Sequence, residues 1–243
     1  MLRRDWLAEQ PFTLALSAGF FGFFSHTGLL AALEREGLVP TRIVGVSAGA
    51  LAGGLWAGGV DAETLARELL ALKRSDFWDP GLPLGGLLRG RKFAGELARV
   101  LGTRGVANIE ECRVPFAAIV HDVLRRRPLA VEQGGLVPAI QASCTVPLMF
   151  RPLWQDGRLL VDGGVSDRIG RCALRSDERV LLHYIPSRRR WRREAAPTSI
   201  TGVASHVMVT PDVPALGPFA LERGGEAYEV TRSYATQWLA QPA

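Results

Sequence analysis

Apolar residues near the N-terminus fall into short unbroken runs, and each run gives way to a stretch with helical spacing. "FTLALS", from Phe12 to Ser17, is the first run and reads as a buried strand. After a glycine-bearing "AGFFGFF", the segment from His26 to Gly37 places Leu29, Leu30 and Leu33 on one face. It turns polar at its end and closes on Gly37, where a helix C-cap would sit. "RIVGV", Arg42 to Val46, is a second β-branched run. The small residues of "SAGALAGGLWAGG" after it predict a helix able to approach the sheet closely. Two strand–loop–helix units in succession predict a parallel sheet with right-handed crossovers.

The pattern continues in the same style. Asp61 to Leu72 opens on an acidic turn and is amphipathic, hence a helix. "FWDPGLPLGGLLRG" reads as a loop in which exposed Phe77 and Trp78 would form a lid, and "RKFAGELARVLG" as another helix. Strands are expected at Val114 to Val123 and at "PLAVEQG", and a helix at "LVPAIQASCTVP" running into Pro147. "LMFRPL", "RLLVDGG", Arg179 to Pro186 and Ala204 to Thr210 read as further strands, and a final helix runs from about Phe219 to Leu239. No internal repeat is visible. The whole of residues 1–243 is read as one α/β domain.

Composition narrows the partners without naming one. Lys and Arg number 29 against 24 Asp and Glu, a formal charge of +5 carried mostly by arginine. Such mild basicity suits anionic partners, phospholipid head groups or nucleic acid among them. Two runs concentrate it: Arg125 to Arg127, and Arg188 to Arg193 with Trp191 set among the cations. Solvated loops are the plainer reading of both, while the second also fits peripheral contact with a membrane. Cys112, Cys144 and Cys172 show no CxxC and no zinc-ligand spacing, which argues against a disulfide framework or structural metal and for a reducing cytoplasm. No apolar run is long enough to span a bilayer, and the first residues lack an apolar core of signal length.

Chemistry gathers at "IVGVSAGALAGG", where Gly45-Val46-Ser47-Ala48-Gly49 forms a GxSxG pattern between a strand and a helix. Flanking glycines let the backbone take a strained turn that exposes the serine. The helix N-terminus behind it offers free N–H groups to a developing oxyanion. Ser47 is therefore a candidate nucleophile, with a plain tight turn as the alternative. A serine hydroxyl needs a base. His121 and His183 lie within apolar strand patterns, as satisfied core histidines do. Of the other two, His26 and His206, His206 follows the serine in the order an α/β-hydrolase requires. The other candidate is Asp162 in "LLVDGGVSD", which ends an apolar strand just before Gly163 and Gly164 turn the backbone away.

Taken together, "LALSAGFFGFFSHTGLLAAL", "GVSAG" and "DGG" resemble three blocks of the patatin-like phospholipase family, in the family's order from about residue 12 to residue 170. "AIQASCTVPLMFRP" is similar to a fourth, weaker block. The resemblance implies a three-layer α/β/α fold around a mostly parallel sheet, and a serine–aspartate dyad. Ser47 would attack an ester carbonyl to give an acyl-enzyme, with Asp162 taking its proton and later activating water. Only one strand and one helix precede the elbow strand, whereas an α/β-hydrolase normally has several, which favours the dyad over a Ser-His-Asp triad. Gly45 and Gly49 would frame the elbow. The family's oxyanion loop is usually a run of glycines followed by Arg or Lys, but here it reads Ala18-Gly19-Phe20-Phe21-Gly22, closer to the animal branch. Backbone N–H groups of Gly19, Phe20, Phe21 and Gly22 are the candidate oxyanion donors.

The implied substrate is an acyl lipid or phospholipid, and no cofactor or metal is expected. A catalytically idle lipid-binding regulator and an acyltransferase are alternatives on the same fold. A dinucleotide site is disfavoured, because Gly19 and Gly22 do not make GxGxxG and Phe23 and Phe24 leave no backbone surface for a pyrophosphate. Apart from Trp191 the arginine runs lack stacking aromatics, so nucleic acid is not expected as a partner.

Overall fold

Phe12–Leu16 (β1) is buried at every position, so it needs cover on both faces, and that requirement sets the architecture. The computed structural model describes residues 1–82, 85–187 and 195–243. In it β1 is one of five parallel strands, in the order Ala204–Met208 (β10), Arg179–His183 (β9), β1, Arg42–Val46 (β2) and Phe116–Asp122 (β4). Three strands joined through antiparallel pairings complete the eight: Arg127–Val131 (β5), Leu153–Gln155 (β7) and Arg158–Asp162 (β8). Gly86–Leu88 (β3) and Leu148–Phe150 (β6) form a separate two-stranded ribbon.

One face of the sheet, with Leu14, Leu16 and Ile43, is packed by Phe23–Arg35 (α2), Ala48–Ala57 (α3), Ala62–Ala71 (α4) and Gly224–Leu239 (α8). Every residue of α3 is buried, which its alanines and glycines permit by letting strands and neighbouring helices close in. Asp61 caps α4 by accepting from the Thr64 amide at 2.8 Å. The opposite face, with Val44, Val46, Ile119 and Leu182, is covered by a helical turn at Arg171–Ala173 and by Ile200 and Val203. The result is three layers, the third of them thin.

Several expectations are corrected in detail. "LMFRPL" is two strands, β6 and β7, divided at Pro152, whose ring nitrogen has no proton to donate to a ladder. The segment after α4 is not all loop: it holds a short helix, Arg74–Phe77 (α5), and β3. Phe77 is buried, not exposed, and packs against Phe21 with ring centroids 6.0 Å apart. Arg3–Glu9 (α1) is a helix the pattern did not indicate; it lies beside α8, with the Arg3 guanidinium 4.4 Å above the Trp238 ring. Arg125 and Arg126 lie in the turn between β4 and β5 and Arg127 opens β5, Arg125 pairing with buried Asp122 at 2.9 Å. Arg188 to Arg193 lie outside the described residues. Among those described, no helix is long and apolar enough to cross a membrane.

Candidate active site

Ser47 sits where β2 passes into α3, with φ 53° and ψ −116°, outside the regions that non-glycine residues ordinarily occupy. Holding a residue there costs about 1–3 kcal/mol and needs a rigid surround. The flanking glycines supply it. A β-carbon on Gly49 would fall on the Leu16 carbonyl oxygen, and one on Gly45 would lie 2.6 Å from the Ala50 α-carbon. Only glycine at both positions lets α3 start hard against β1 and β2, which leaves Ser47 pointing out of the turn.

Register then brings Asp162 to it. Along β4, β5 takes one edge from Ala118 to Asp122. The other edge is shared: β2 ends with Val46 opposite Ile119, and antiparallel β8 ends with Asp162 opposite Val120, the next residue. The C-terminal ends of β2 and β8 therefore meet head to head, one residue step of about 3.3 Å apart along β4. Ser47 and Asp162 follow from opposite sides of that junction. Gly163 is obligatory there, since a β-carbon would strike the Ile119 carbonyl.

The end of Leu136–Ser143 (α7) stitches the junction. The Ser47 amide donates to Ser143 Oγ at 2.9 Å, and that hydroxyl donates to the Ile119 carbonyl at 2.6 Å. The Cys144 thiol donates to the Ser47 carbonyl at 3.1 Å, and the Asp162 amide donates to the Thr145 carbonyl at 2.8 Å. Burial, and after it the negative charge of Asp162, push the Cys144 thiol well above its ordinary range, so it is a structural donor and no nucleophile. Asp162 Oδ1 accepts from the Gly164 amide at 2.8 Å, which fixes the carboxylate's orientation.

Of the four loop candidates, Gly22 spends its amide on the Gly19 carbonyl at 2.8 Å. Among the described residues the amides of Gly19, Phe20 and Phe21 have no such bond, and Phe21 holds φ 54°. The loop's missing cation is supplied from elsewhere: Arg168 Nη2 donates to the Ala18 carbonyl at 3.3 Å and to the Ile185 carbonyl at 2.9 Å, tying the loop's root to the chain after β9. The sequence singled out neither Arg168 nor Ser143, because each acts only through backbone groups distant in the chain.

Each of the four histidines has a partner other than Ser47. His26 and His183 are fully buried and bonded to one another, Nδ1 to Nδ1 at 3.0 Å. His26 Nε2 lies 2.9 Å from the Ser17 carbonyl, so it carries the proton, and His183 donates to His26. Burial holds His26 at a pKa of about 4 against the raising effect of that carbonyl, and burial with His26 beside it pushes His183 well down. His121 Nδ1 is engaged with Ser166 Oγ at 2.8 Å. His206 lies on β10 against Trp6, three strand spacings or about 14 Å from β2.

Two cavities meet at Ser47. A wide cleft of about 820 Å³ is lined by Ser47, Asp162, Phe20, Leu148 and Arg168. A narrow one of about 90 Å³ is lined by Ser47, Leu51, Leu55, Phe77, Leu97 and Val100. A wide cleft of mixed polar and apolar lining and an apolar slot on either side of one hydroxyl suit a molecule with one large, partly polar end and one hydrocarbon end.

A sequence model of the patatin-like phospholipase family matches residues 14–170, which takes in the loop, the elbow and Asp162. An "Uncharacterized NTE family protein" of Mycobacterium tuberculosis is 33% identical over 156 residues, 63% of this chain and 42% of the relative. The neuropathy target esterase sws of Drosophila virilis is 28% identical over 172 residues, 68% of this chain and 11% of that protein. The chain thus spans less than half the length of these curated relatives. Among solved structures, VipD from Legionella pneumophila superposes with a TM-score of 0.63 at 14% identity, over 94% of this chain and 66% of that one. The ExoU–SpcU complex of Pseudomonas aeruginosa gives 0.50 at 15% identity, over 94% and 51%. At these identities the likeness bears on the fold.

Proposed function

The chain belongs to the patatin-like phospholipase family, and from that premise we propose that it is a lipid acyl hydrolase with Ser47 as nucleophile and Asp162 as base. The observation that carries the reading is the junction on β4, where the strand ending at Ser47 and the strand ending at Asp162 meet at consecutive residues, Ile119 and Val120. That register supports direct proton transfer between the two, with no third residue between them. As Ser47 Oγ attacks the ester carbonyl, its proton passes to Asp162 and the carbonyl oxygen becomes an oxyanion. Free amides of Gly19, Phe20 and Phe21, with the first-turn amides of α3, are the donors available to it. The alcohol leaves with the proton from Asp162, giving the acyl-enzyme. Water then donates its proton to Asp162 as it attacks, and collapse of the second intermediate releases the fatty acid and restores Ser47. In this reading the narrow slot holds the acyl chain and the wide cleft holds the polar remainder.

The test is turnover of a soluble p-nitrophenyl ester together with labelling by a fluorophosphonate. Labelling is expected to vanish in Ser47→Ala, and hydrolysis to fall by about a thousandfold or more in both Ser47→Ala and Asp162→Asn. Labelling that persists in Ser47→Ala, or full turnover in Asp162→Asn, removes the residue concerned from its role.

A further inference from the structure

The ribbon of β3 and β6 stands apart from the central sheet and turns large apolar side chains outward. Leu87 is the outward residue of β3, 58% exposed, and Leu148, opposite Gly86 on β6, is 81% exposed. Leu82, on the loop leading to β3, is 70% exposed. Leu148 also holds φ 69°, a left-handed conformation that non-glycine residues occupy only when the surroundings impose it. The fold thus keeps a leucine in water and in a strained conformation at the same time.

Three arginines stand beside Leu82, at the start of this ribbon. Arg89, Arg91 and Arg151 line a hollow of about 370 Å³ together with Leu82. Gly81 lies between two of them, since a β-carbon there would come within 2.7 Å of Arg89 Nε and 2.9 Å of Arg151 Nη2. Among the described residues none of the three forms an ion pair with a carboxylate; Arg151 instead holds the Leu82 carbonyl. Elsewhere on the surface arginines pair readily, as Arg99 does with Glu68 and Glu96.

Exposed leucines beside guanidinium groups that pair with no carboxylate among the described residues are complementary to one kind of surface. We propose that this face docks on an anionic phospholipid bilayer, the leucines entering the acyl boundary and the arginines lying at the phosphates. Leu148 lines the wide cleft as well, so docking brings the cleft that Ser47 opens on against the lipid. The proposal uses no residue of the Arg188 to Arg193 run, and its test reads binding without turnover, so it stands or fails separately from the catalytic proposal.

The experiment is co-sedimentation of the full chain with phosphatidylcholine vesicles, with and without roughly a third phosphatidylglycerol. Binding is expected to the anionic vesicles only and to weaken with salt. At about fivefold per cationic charge, Arg89→Gln combined with Arg91→Gln lowers partitioning about 25-fold, and Leu87→Glu lowers it about tenfold or more. Thermal unfolding confirms that each variant is folded. Should one not fold, an environment-sensitive fluorophore on Leu87→Cys asks the same question, and a blue shift on anionic vesicles is expected. Equal binding to neutral vesicles, undiminished binding by folded variants, or no blue shift overturns the proposal. Concentration-dependent dimerisation abolished by Leu87→Glu also overturns it, assigning the face to a second copy of the chain.

Discussion

Ser143 Oγ accepts from the Ser47 amide at 2.9 Å and donates to the Ile119 carbonyl at 2.6 Å, closing the gap on the edge of β4 where β2 has ended and β8 has not begun. One hydroxyl therefore satisfies the elbow's amide and a strand carbonyl at once. In Ser143→Ala both lose their partner in a site where water is scarce, at about 1–3 kcal/mol each. For a chain of this size that corresponds to a fall in melting temperature of roughly 5–10 °C. The elbow also loses the contact that fixes its height above β4, so ester turnover should drop by about tenfold or more. Calorimetry and kcat on a soluble ester measure the two effects; a variant that keeps both values contradicts the bridging role.

Gly49 and Gly95 are both helical glycines, yet alanine should act on them with opposite sign. At Gly49 the new β-carbon meets the Leu16 carbonyl of a buried strand, which has nowhere to move. Gly49→Ala should cost more than about 3 kcal/mol and abolish activity. Gly95 lies exposed in Arg91–Leu101 (α6) with nothing within 4 Å of the added carbon. There the smaller backbone entropy of alanine dominates, and Gly95→Ala should stabilise by about 0.5–1 kcal/mol. Chemical denaturation of the two variants decides the matter, and equal shifts would show that the close approach at the elbow is not what demands glycine.

Legibility in the sequence followed locality. The β1–α2 and β2–α3 units and the GxSxG elbow could be read because turn chemistry and helix start lie within a few residues of each other. The end of an apolar strand before two glycines marked Asp162 as a candidate and the family resemblance favoured it, but its placement opposite Val120 depends on strand register, which no local pattern encodes. The partnership of His26 with His183 spans 157 positions and was invisible, although the apolar setting of His183 did indicate a core residue. Phe77 was misplaced because a short apolar pair in a glycine-rich stretch carries no sign of which side it faces; its contact with Phe21 settles that it lines the slot. Arg168 was missed for a similar reason, since a bond to two main-chain carbonyls leaves no residue-type signature.

The buried histidine pair should make the fold sensitive to mild acid. An unfolded chain titrates histidine near 6.5, whereas folded His26 is held at about 4 by burial, and His183 is pushed down by burial and by His26. Below about pH 6.5 the unfolded chain binds protons that the folded chain excludes, so stability is full above that pH and is lost as pH falls towards 4. Each histidine contributes a slope of up to about 1.4 kcal/mol per pH unit across that window. Protonation would also set two N–H donors face to face at the 3.0 Å contact, next to Ser17 at the root of the Gly19–Gly22 loop. Thermal melts between about pH 7.5 and 4.5 should show the decline, and His183→Gln, which removes one titrating group, should roughly halve its slope. A flat profile in the parent chain would mean the pair is not held neutral.

Val100 lines the narrow slot from α6, half-buried and on the side away from Asp162's cleft. If the slot holds the acyl chain, each methylene that enters it is worth about 0.8 kcal/mol, or about fourfold in kcat/KM, until the slot is full. A series of p-nitrophenyl esters of increasing chain length should therefore rise and then level off in the parent chain. Val100→Phe puts a ring into the wall and should move the plateau to shorter esters by about two methylenes, a loss of roughly fifteenfold for the long esters and much less for the shortest. The position is partly exposed, so the larger side chain costs little stability compared with overfilling at buried Leu97. The kcat/KM profile across the ester series measures the shift. An unchanged profile places the acyl chain in the wide cleft and leaves the slot as core packing around Phe21 and Phe77.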